Sequence, residues 1–280
     1  MTPDWQTNCV YFSKLLGDQH SALCGQLTEI LQEHGVPVRF LTGTHDIWCR
    51  DYCPIQIQVG RFIKFHYDPD YLKGYPKWRT EDEVVCQDAR DLGQCQRSKI
   101  VLDGGNVVAA ENRAILTEKI YGENPKVGQD QLKRDLRHAL ELTELIEIPL
   151  EPDDVIGHAD GVARFLNEGL VVVNDYSKVQ AGYGKSLSNV LQQAGLAVEE
   201  LPYFQEDVVT NGIPSAVGNY VNFLRVGNLF LVPAYGVAQD DVACQKLKQL
   251  CPDAQVVSVP CVALARQGGV LNCVSWTVRI

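Results

Sequence analysis

The sequence contains no run of lysine and arginine residues, and acidic side chains outnumber basic ones. There are 25 Lys and Arg against 35 Asp and Glu in 280 residues, which gives a formal net charge of −10. A protein that binds nucleic acid or an anionic membrane surface through its charge needs a basic patch. We therefore expect no nucleic acid and no membrane as a partner, whereas a cationic ligand is compatible with this charge.

The sequence also lacks long apolar segments. No window of 18 residues is free of charged side chains, so we predict no transmembrane helix. The first 16 residues contain no basic segment followed by a long apolar stretch, so we expect no signal peptide. These two absences predict a cytoplasmic protein.

None of the ten cysteines belongs to a CxxC pair. Without a secretory signal, such cysteines are typical of free thiols in a reducing compartment. A free cysteine most often serves as a small buried side chain. A reactive cysteine therefore needs independent support from its position in the sequence.

No linker or low-complexity segment divides the chain, but a weak internal repeat runs through it. Five segments with apolar residues at helical spacing cover residues 20–34, 81–93, 135–145, 185–195 and 241–252. A short β-rich run follows each of them. The intervals between the helix ends are 50 to 58 residues, so five such units fill residues 1–280 as a single domain.

Four β-hairpins complete the predicted unit, each with Gly or Asn in the turn between two β-rich runs. They lie at residues 54–67, 106–118, 161–175 and 220–235. One unit has too little core to be stable alone, whereas five units packed around an axis bury a common centre. The strands at residues 8–13 and 272–280 have no hairpin partner. We therefore expect the two ends of the chain to pair and to close the ring.

Reactive side chains lie at equivalent places in four of the five units, at the start of an inner strand. The four segments are residues 46–55, 102–108, 157–165 and 268–276. Equivalent positions in a closed ring converge on its axis. We therefore predict that Asp51, Asp103, His158, Asp160 and Cys273 meet in one central cleft.

Cys273 and His158 fit a thiol nucleophile that a neighbouring imidazole activates. The alternative is a core cysteine and a core histidine, but the position of Cys273 after a Gly-Gly pair favours the nucleophile. His158 and Asp160 would share one face of a strand and could bind a metal. The dense His and Cys spacing of zinc sites is absent from the sequence, so we expect no metal and no cofactor.

Asp51 and Asp160 are carboxylates expected in one partly buried site, where their repulsion opposes ionisation unless a cation lies between them. A guanidinium satisfies both because it is planar and has paired N–H donors. Trp48 offers a flat face to such a cation or packs in the core. The alternative for Asp51 is an ion pair with Arg50 or a turn cap.

Asp103 lies in an Asp-Gly-Gly turn, for which there are two interpretations. It is an ordinary cap of the turn, or it accepts a hydrogen bond from His158 and holds the imidazole in one tautomer and orientation.

These segments resemble the agmatine deiminase and Porphyromonas-type peptidylarginine deiminase family, within the guanidino-group-modifying superfamily. The resemblance runs in order from about residue 36 to residue 280, and its motifs are specific jointly rather than singly. The matched motifs are the family's D-x-W-x-R-D-x-G-P, E-G-G-N, G-H-x-D, A-R-F and Gly-rich Cys segments and its N-hydrophobic-N-G-hydrophobic-P hairpin. In chain order, the residues that match are Asp46, Trp48, Arg50, Asp51, Pro54, residues 103–106, Gly157, His158, Asp160, residues 163–165, residues 220–235, Gly268, Gly269 and Cys273.

The resemblance implies a fivefold pseudosymmetric α/β propeller, the pentein fold, built from repeated strand-hairpin-helix units. It also implies metal-free hydrolysis of a guanidine to a ureido product plus ammonia. By the resemblance, Cys273 is the nucleophile, His158 is the acid-base residue, and Asp51 and Asp160 bind the guanidinium. Asp103 corresponds to the family Glu that orients the histidine.

Further expectations about ligands and partners come with the resemblance. The expected substrate is a small cationic guanidino compound such as agmatine or an arginine-like molecule. Trp48 and Arg50 join Asp51 and Asp160 as substrate-binding residues. A homo-oligomer is also compatible with the sequence.

Two positions depart from the family pattern, and one segment has no counterpart. Asp103 is one methylene shorter than the family Glu, and Cys53 stands where the family has Gly before Pro54. The family's N-terminal tryptophan-rich segment has no counterpart in this sequence. We therefore expect the contacts to the tail of the substrate to differ from those of agmatine deiminases more than the reaction does.

Three alternatives remain open on the sequence. An amidinotransferase would pass the same covalent intermediate to an amine. A deiminase could act on arginine, methylarginine or peptidyl arginine. A propeller could also be a non-enzymatic binding module, but such a module has no need of Asp, His, Asp and Cys at equivalent places in the repeat.

Overall fold

Five three-stranded sheets and one two-stranded hairpin account for the strands of the residues that the structure describes. The computed structural model describes residues 1–88 and 90–280. In each three-stranded sheet, the middle strand pairs antiparallel with one neighbour and parallel with the other. This regularity confirms the prediction of five repeated α/β units.

The strands of the described residues are β1 (Cys9–Ser13), β2 (Val38–Leu41), β3 (Ile55–Gln58), β4 (Arg61–His66), β5 (Gln94–Val101), β6 (Val108–Ala109), β7 (Arg113–Thr117), β8 (Glu144–Ile148), β9 (Ala163–Asn167), β10 (Leu170–Asn174), β11 (Ala197–Leu201), β12 (Val209–Thr210), β13 (Ile213–Pro214), β14 (Leu224–Val226), β15 (Leu229–Ala234), β16 (Gln255–Pro260) and β17 (Ser275–Val278). The α-helices are α1 (Lys14–Gln19), α2 (Ser21–Glu33), α3 (Cys49–Tyr52), α4 (Asp82–Asp88), α5 (Lys119–Glu123), α6 (Gln129–Ala139), α7 (Ala181–Gln193), α8 (Ala238–Leu250) and α9 (Val262–Ala265).

The sheets have the strand orders β17-β1-β2, β3-β4-β5, β6-β7-β8, β9-β10-β11 and β14-β15-β16, and β12 and β13 form the separate hairpin. In every sheet, a helical connection joins the middle strand to its parallel outer neighbour, as parallel pairing requires. The two ends of the chain share the first sheet, where Tyr11 of β1 lies opposite Trp276 of β17. This pairing confirms that the termini close the ring.

Glycine ends two of the helices that the sequence predicts. Gly35 follows α2 and Gly195 follows α7, with φ angles of 70° and 76°. Both residues occupy the left-handed region, which glycine reaches without the steric cost of a Cβ.

The third predicted helix, over residues 135–145, was placed too far along the chain. α6 ends at Ala139, and β8 begins at Glu144. Glu141 takes a left-handed φ of 56°, and the Leu142 N–H donates to the Arg137 carbonyl at 2.8 Å. The helix therefore ends in the hydrogen-bond pattern of a glycine stop without a glycine, and this end is not visible in the sequence.

The second predicted helix, over residues 81–93, is interrupted in the structure. α4 covers its first part and a 3₁₀ turn, Arg90–Leu92, covers its end, while Ala89 lies outside the described residues.

The core consists of middle strands enclosed on both faces and of helices that bury one face. All five residues of β1 are buried, as expected of a strand with layers on both sides. α2 buries Cys24, Leu27 and Leu31 at helical spacing. Most cysteines are core residues, as predicted, and the buried ones are Cys9, Cys24, Cys49, Cys53, Cys86 and Cys261.

The longest helices that the structure describes, α2, α7 and α8, have 13 residues each. Among the residues it describes, no helix is long and apolar enough to cross a bilayer.

Candidate active site

The turns that precede the inner strands β3, β6 and β9 pack against one another. The turn before β3 is α3, and the other two are 3₁₀ turns at Gly104–Asn106 and Ala159–Gly161. A Cβ on Gly105 would lie 2.5 Å from Asp51 Oδ1 and 2.6 Å from His158 Nδ1. Only glycine therefore permits these turns to bring their side chains together.

The buried Asn106 links the turn of the second sheet to that of the third. Its Oδ1 accepts hydrogen bonds from the Thr117 N–H at 2.9 Å, the Thr117 hydroxyl at 3.0 Å and the Ala159 N–H at 3.2 Å. These hydrogen bonds fix the relative positions of the two turns and of the side chains that flank them.

His158 lies between two carboxylates and is almost completely buried. Its Nε2 is 2.9 Å from Asp103 Oδ2, and its Nδ1 is 3.3 Å from Asp51 Oδ1. The shorter side chain of Asp103 thus reaches the imidazole directly. This geometry holds both ring nitrogens and favours the imidazolium, which donates from each of them.

The two carboxylates change the proton affinity of His158. Burial opposes protonation of the imidazole, but Asp51 and Asp103 outweigh burial and raise the pKa of His158 to about 10. Burial also disfavours ionised Asp103, yet His158 and Lys119 lower the pKa of that carboxyl below its usual value. In the ligand-free site, an imidazolium therefore faces ionised Asp103 at neutral pH.

Cys273 is half-buried and precedes β17. It lies next to Asn222, which precedes β14. Its Sγ lies 3.4 Å from Asn222 Oδ1 and 3.9 Å from Asp160 Oδ2. The Cys273 N–H also donates to Asn222 Oδ1, at 3.3 Å. Burial, followed by the charges of Asp160 and Asp51, raises the pKa of the Cys273 thiol well above its usual value. The thiol is therefore protonated at neutral pH.

Asp160 is a buried carboxylate with a neutral partner. The Asn272 amide donates to its Oδ2 at 2.6 Å. Burial raises the pKa of Asp160, and the nearby Asp51 raises it further, although His158 acts in the opposite direction. The negative charge close to the sulfur is therefore not fully compensated by positive groups.

A cavity of about 530 Å³ opens beside these groups. His158, Asp160 and Cys273 line it together, whereas Asp51 and Asp103 contact His158 from outside its wall. The structure therefore brings the five predicted residues into one cluster, in which only three face the cavity.

Acidic side chains dominate the charged lining of this cavity. Besides Asp160 they are Glu151, Asp153, Asp154, Glu206 and Asp207, and within the described part of the chain the lining includes no Lys or Arg. Glu206 has a cationic partner outside the wall, since Arg266 Nη2 lies 2.6 Å from its Oε1. The cavity as a whole favours a cationic ligand.

Glu151 is held in this wall by two tyrosines. It accepts hydrogen bonds from the Tyr176 and Tyr203 hydroxyls, both at 2.9 Å. Burial and the charge of Asp154 nevertheless raise the pKa of Glu151 to about 7. Its charge therefore changes near neutral pH.

Trp48 and Arg50, which were expected at the substrate, do not line this cavity. The ring of Trp48 packs so closely on Gly269 that a Cβ there would lie 2.5 Å from Cζ3. The Arg50 guanidinium donates to the Asn272 carbonyl and the Thr277 hydroxyl, both at 3.4 Å. Arg50 lines a separate cavity of about 50 Å³, so its contact with a substrate stays a prediction.

Two further residues of this site, Asn222 and Lys119, were not predicted from the sequence. Asn222 precedes β14 and is the fourth unit's counterpart of the four reactive segments, so the repeat alone could have identified it. Lys119 begins α5 and places its Nζ 3.0 Å from Asp103 Oδ2. No sequence signal points to that contact, because it depends on the packing of two sheets.

Within residues 1–88 and 90–280, no three His, Cys, Asp or Glu side chains are arranged to bind a metal ion.

Solved structures share the fold at low sequence identity. The agmatine deiminase of C. jejuni superposes with a TM-score of 0.81 at 17% identity, covering 98% of this chain and 94% of that one. An amidinotransferase from Microseira wollei in the saxitoxin biosynthetic pathway superposes with a TM-score of 0.69 at 13% identity, covering 100% and 96% of the two chains. Proteins with different reactions thus have this pentein fold, and fold alone does not identify the reaction.

Sequence comparisons are more specific. The agmatine deiminase of Stutzerimonas stutzeri (strain A1501) is 29% identical over 240 residues, which is 72% of this chain and 64% of the relative. The sequence profile of the Porphyromonas-type peptidyl-arginine deiminases matches residues 16–278. The chain therefore belongs to the Porphyromonas-type peptidyl-arginine deiminase family.

Proposed function

We propose that this chain, as a single catalytic domain over residues 1–280, hydrolyses a small cationic guanidine to a ureido product and ammonia. One observation carries the proposal: the Cys273 thiol, the His158 imidazole and the Asp160 carboxylate line one acidic cavity. A nucleophile, an acid-base residue and an anionic binding group are the parts that such a reaction needs.

The guanidinium is proposed to bind Asp160 in the cavity and to reach Asp51 beyond its wall, where Asp51 Oδ1 lies 3.3 Å from His158 Nδ1. Asp160 Oδ2 lies 3.9 Å from Cys273 Sγ, and the charges of Asp160 and Asp51 add to burial in raising the pKa of that thiol. A planar cation with paired N–H donors offsets their mutual repulsion. Binding there also places the central carbon beside Sγ, so the reaction becomes effectively unimolecular.

Binding of the substrate is proposed to activate the nucleophile. The same two carboxylates that hold the thiol protonated are neutralised when the guanidinium arrives, so the pKa of Cys273 falls. The proton leaves the sulfur for solvent or for a neighbouring base, and the imidazolium of His158 stabilises the thiolate. The enzyme therefore exposes a reactive sulfur mainly when a substrate is present.

The chemistry then proceeds in two halves. The thiolate attacks the guanidinium carbon, His158 donates its proton to a terminal nitrogen, and the carbon–nitrogen bond breaks to release ammonia. The remaining amidino group is covalently bound to sulfur. The now neutral His158 takes one proton from water as the water attacks this carbon, the second proton of that water passes through solvent to the released ammonia, and the carbon–sulfur bond breaks to give the ureido product and thiolate. The sum is one guanidinium and one water converted to one urea and one ammonium.

The charged lining of the cavity favours a guanidine with a second cation over one with a carboxylate. Glu151 presents a carboxylate in the wall, and the described lining provides no Lys or Arg for an α-carboxylate. Agmatine, which ends in an ammonium, is therefore the preferred candidate over arginine. The Stutzerimonas stutzeri relative carries the name agmatine deiminase.

A substrate panel tests this function. Agmatine, arginine, methylarginines and guanidino acids are incubated with the protein, and ureido product and ammonia are both quantified, with Cys273→Ala as control. We expect equal amounts of both products from agmatine. A product that forms only with an added amine and without ammonia would identify an amidinotransferase, and absence of turnover on every member would contradict the proposal.

A further inference from the structure

Lys119 is a buried cation that the proposed reaction does not use. It begins α5, and its side chain is 6% exposed. Its Nζ lies 3.0 Å from Asp103 Oδ2, 3.2 Å from Glu123 Oε1 and 3.6 Å from Asp70 Oδ1. The ammonium also lies 4.6 Å from the centroid of the Tyr71 ring. Three carboxylates and a ring face thus surround one charge.

An ammonium is strongly disfavoured in the interior unless anions compensate for the lost hydration. Burial would lower the pKa of Lys119, but Asp103 and Glu123 outweigh it and raise the pKa above its ordinary value. Lys119 therefore stays protonated over the whole physiological range of pH.

A single oxygen links Lys119 to the imidazole of His158. Asp103 Oδ2 lies 2.9 Å from His158 Nε2 and 3.0 Å from Lys119 Nζ, and Nζ itself is 3.4 Å from Nε2. The other Asp103 oxygen, Oδ1, is buried and has no hydrogen-bond partner among the described residues. The orientation of this carboxylate therefore depends on the two cations that share Oδ2.

We propose that Lys119 is a positioning residue, which fixes the Asp103 carboxylate against His158 and limits how strongly the surrounding anions hold the imidazole's proton. The inference rests on the proposed function, because it concerns the acid-base residue of that reaction. Hydrolysis of the covalent intermediate requires His158 in its neutral form to accept a proton from water. An imidazolium that contacts an anion at each ring nitrogen would lose its proton too rarely to supply neutral His158.

The charges that face His158 define the expected effects of substitution. Asp51 and Asp103 favour the imidazolium directly, Asp160 adds to them, and Lys119 opposes them. Removal of the ammonium should therefore raise the pKa of His158. Glu123, with a carboxyl pKa raised to about 7 by burial and by Asp103, lies on the far side of Lys119, so its neutralisation should have the opposite effect.

The first experiment follows the titration of His158 by NMR on histidine-labelled protein, independently of turnover. We expect Lys119→Met to move the His158 midpoint upward by about one pH unit, Lys119→Arg to move it less, and Glu123→Gln to move it downward. The matched control is Lys133→Met, which also removes a lysine paired to a carboxylate, Glu147 at 2.7 Å. Lys133 has no contact with the site among the described residues, so its variant should titrate like the wild type.

The second experiment measures kcat and KM against pH. In Lys119→Met the acidic limb of the kcat profile should move upward by about one pH unit, so kcat at neutral pH should fall about tenfold with little change in KM. Lys119→Arg should restore much of the wild-type profile. A merely structural role would lower activity or melting temperature without moving the limb.

Each outcome decides between the possibilities. An unchanged His158 midpoint in folded Lys119→Met protein overturns the inference. If that variant does not fold, Glu123→Gln decides instead, since a downward shift supports the inference and an unchanged midpoint overturns it. If wild-type protein turns over no guanidine, the proposed function fails, whereas the NMR titration still tests the role of Lys119.

Discussion

Asp4 and Asp160 both line the small cavity of about 50 Å³, but only Asp160 also lines the large acidic one. Asp4 is paired with the Arg164 guanidinium, whereas Asp160 is paired with the neutral amide of Asn272. Burial raises the proton affinity of both carboxyls. At Asp4 the charge of Arg164 outweighs burial and lowers the pKa, whereas at Asp160 the charges of His158 and Arg164 do not outweigh burial and Asp51, so the pKa is raised.

This difference separates a structural carboxylate from one that is available to a ligand. An ion pair within the protein stabilises the fold, and because the charge of its carboxylate is already compensated, a cationic substrate has no charge to neutralise there. A carboxylate held only by an amide keeps an unmet preference for a cation. Four experiments test whether this distinction holds, and they are ordered by the size of the expected effect.

The largest effect should follow from Cys273→Ala. Removal of the nucleophile should lower turnover of agmatine by roughly 10⁴-fold or more and leave the melting temperature almost unchanged. Cys24→Ala is the matched control because Cys24 is buried in α2, away from the cavity. That variant should retain turnover and lose about 1 kcal/mol of stability. Full activity of Cys273→Ala would refute the mechanism.

Asp160→Asn and Asp4→Asn should separate binding from stability. Asp160→Asn should reduce kcat/KM by roughly 10²- to 10³-fold, because the guanidinium loses a buried anionic partner. Asp4→Asn should instead lower the free energy of unfolding by about 2–3 kcal/mol, because Arg164 remains buried without its anion. Equal losses of activity and of stability in both variants would mean that the two carboxylates have the same role.

The same two variants should differ in how pH affects their stability. The folded pKa of Asp4 lies below its ordinary value of 3.8, so its stabilisation is complete above that pH and is lost as pH falls through the folded pKa. The stability gap between wild type and Asp4→Asn should narrow in acid. The folded pKa of Asp160 is raised, so the cost of its charge is absent in acid and develops as pH rises.

Denaturant unfolding from pH 3 to pH 8 measures both gaps. Asp160→Asn should become more stable than the wild type as pH rises, in contrast to Asp4→Asn. Parallel curves for the two variants would show that the charged partner does not set the difference.

The smallest effect concerns Glu151 and the tail of the substrate. Glu151→Gln should raise KM for agmatine about tenfold above pH 7, because an ammonium loses one partly solvated charge. Below its pKa of about 7 the wild-type carboxyl is itself protonated, so the two proteins should converge. Butylguanidine, which has no second cation, is the control and should show no difference in KM. A tenfold difference with both compounds would place the effect of Glu151 at the guanidinium instead.

Much of the architecture was predictable because it depends on local sequence patterns, namely turn residues and the spacing of apolar residues. The four hairpins lie where turn residues separate β-rich runs, and the two helices that end at Gly35 and Gly195 stop where predicted. The end of α6 was predicted too far along the chain because Glu141 adopts a left-handed backbone conformation, which a glutamate in the sequence does not indicate. Local propensity therefore located the elements, and tertiary contacts selected the remaining boundary.

The site was predictable to the extent that it follows the repeat. Asp51, Asp103, His158, Asp160 and Cys273 occupy equivalent places and form one cluster. Asp51 and Arg50 are adjacent in α3, where each residue turns the side chain by about 100°, so one reaches His158 and the other the small cavity. Their adjacency in the sequence does not indicate this separation.

The sequence by itself determined the five units, the pairing of the two ends and the polar segments that meet at the centre, because apolar periodicity and turn residues act over a few positions. Tertiary structure alone decided which of these groups carry charge and which face the cavity. Protonation depends on burial and on distances between groups remote in sequence, such as Lys119 and Asp103 or Asp160 and Asn272. Such distances arise only when all five sheets are packed.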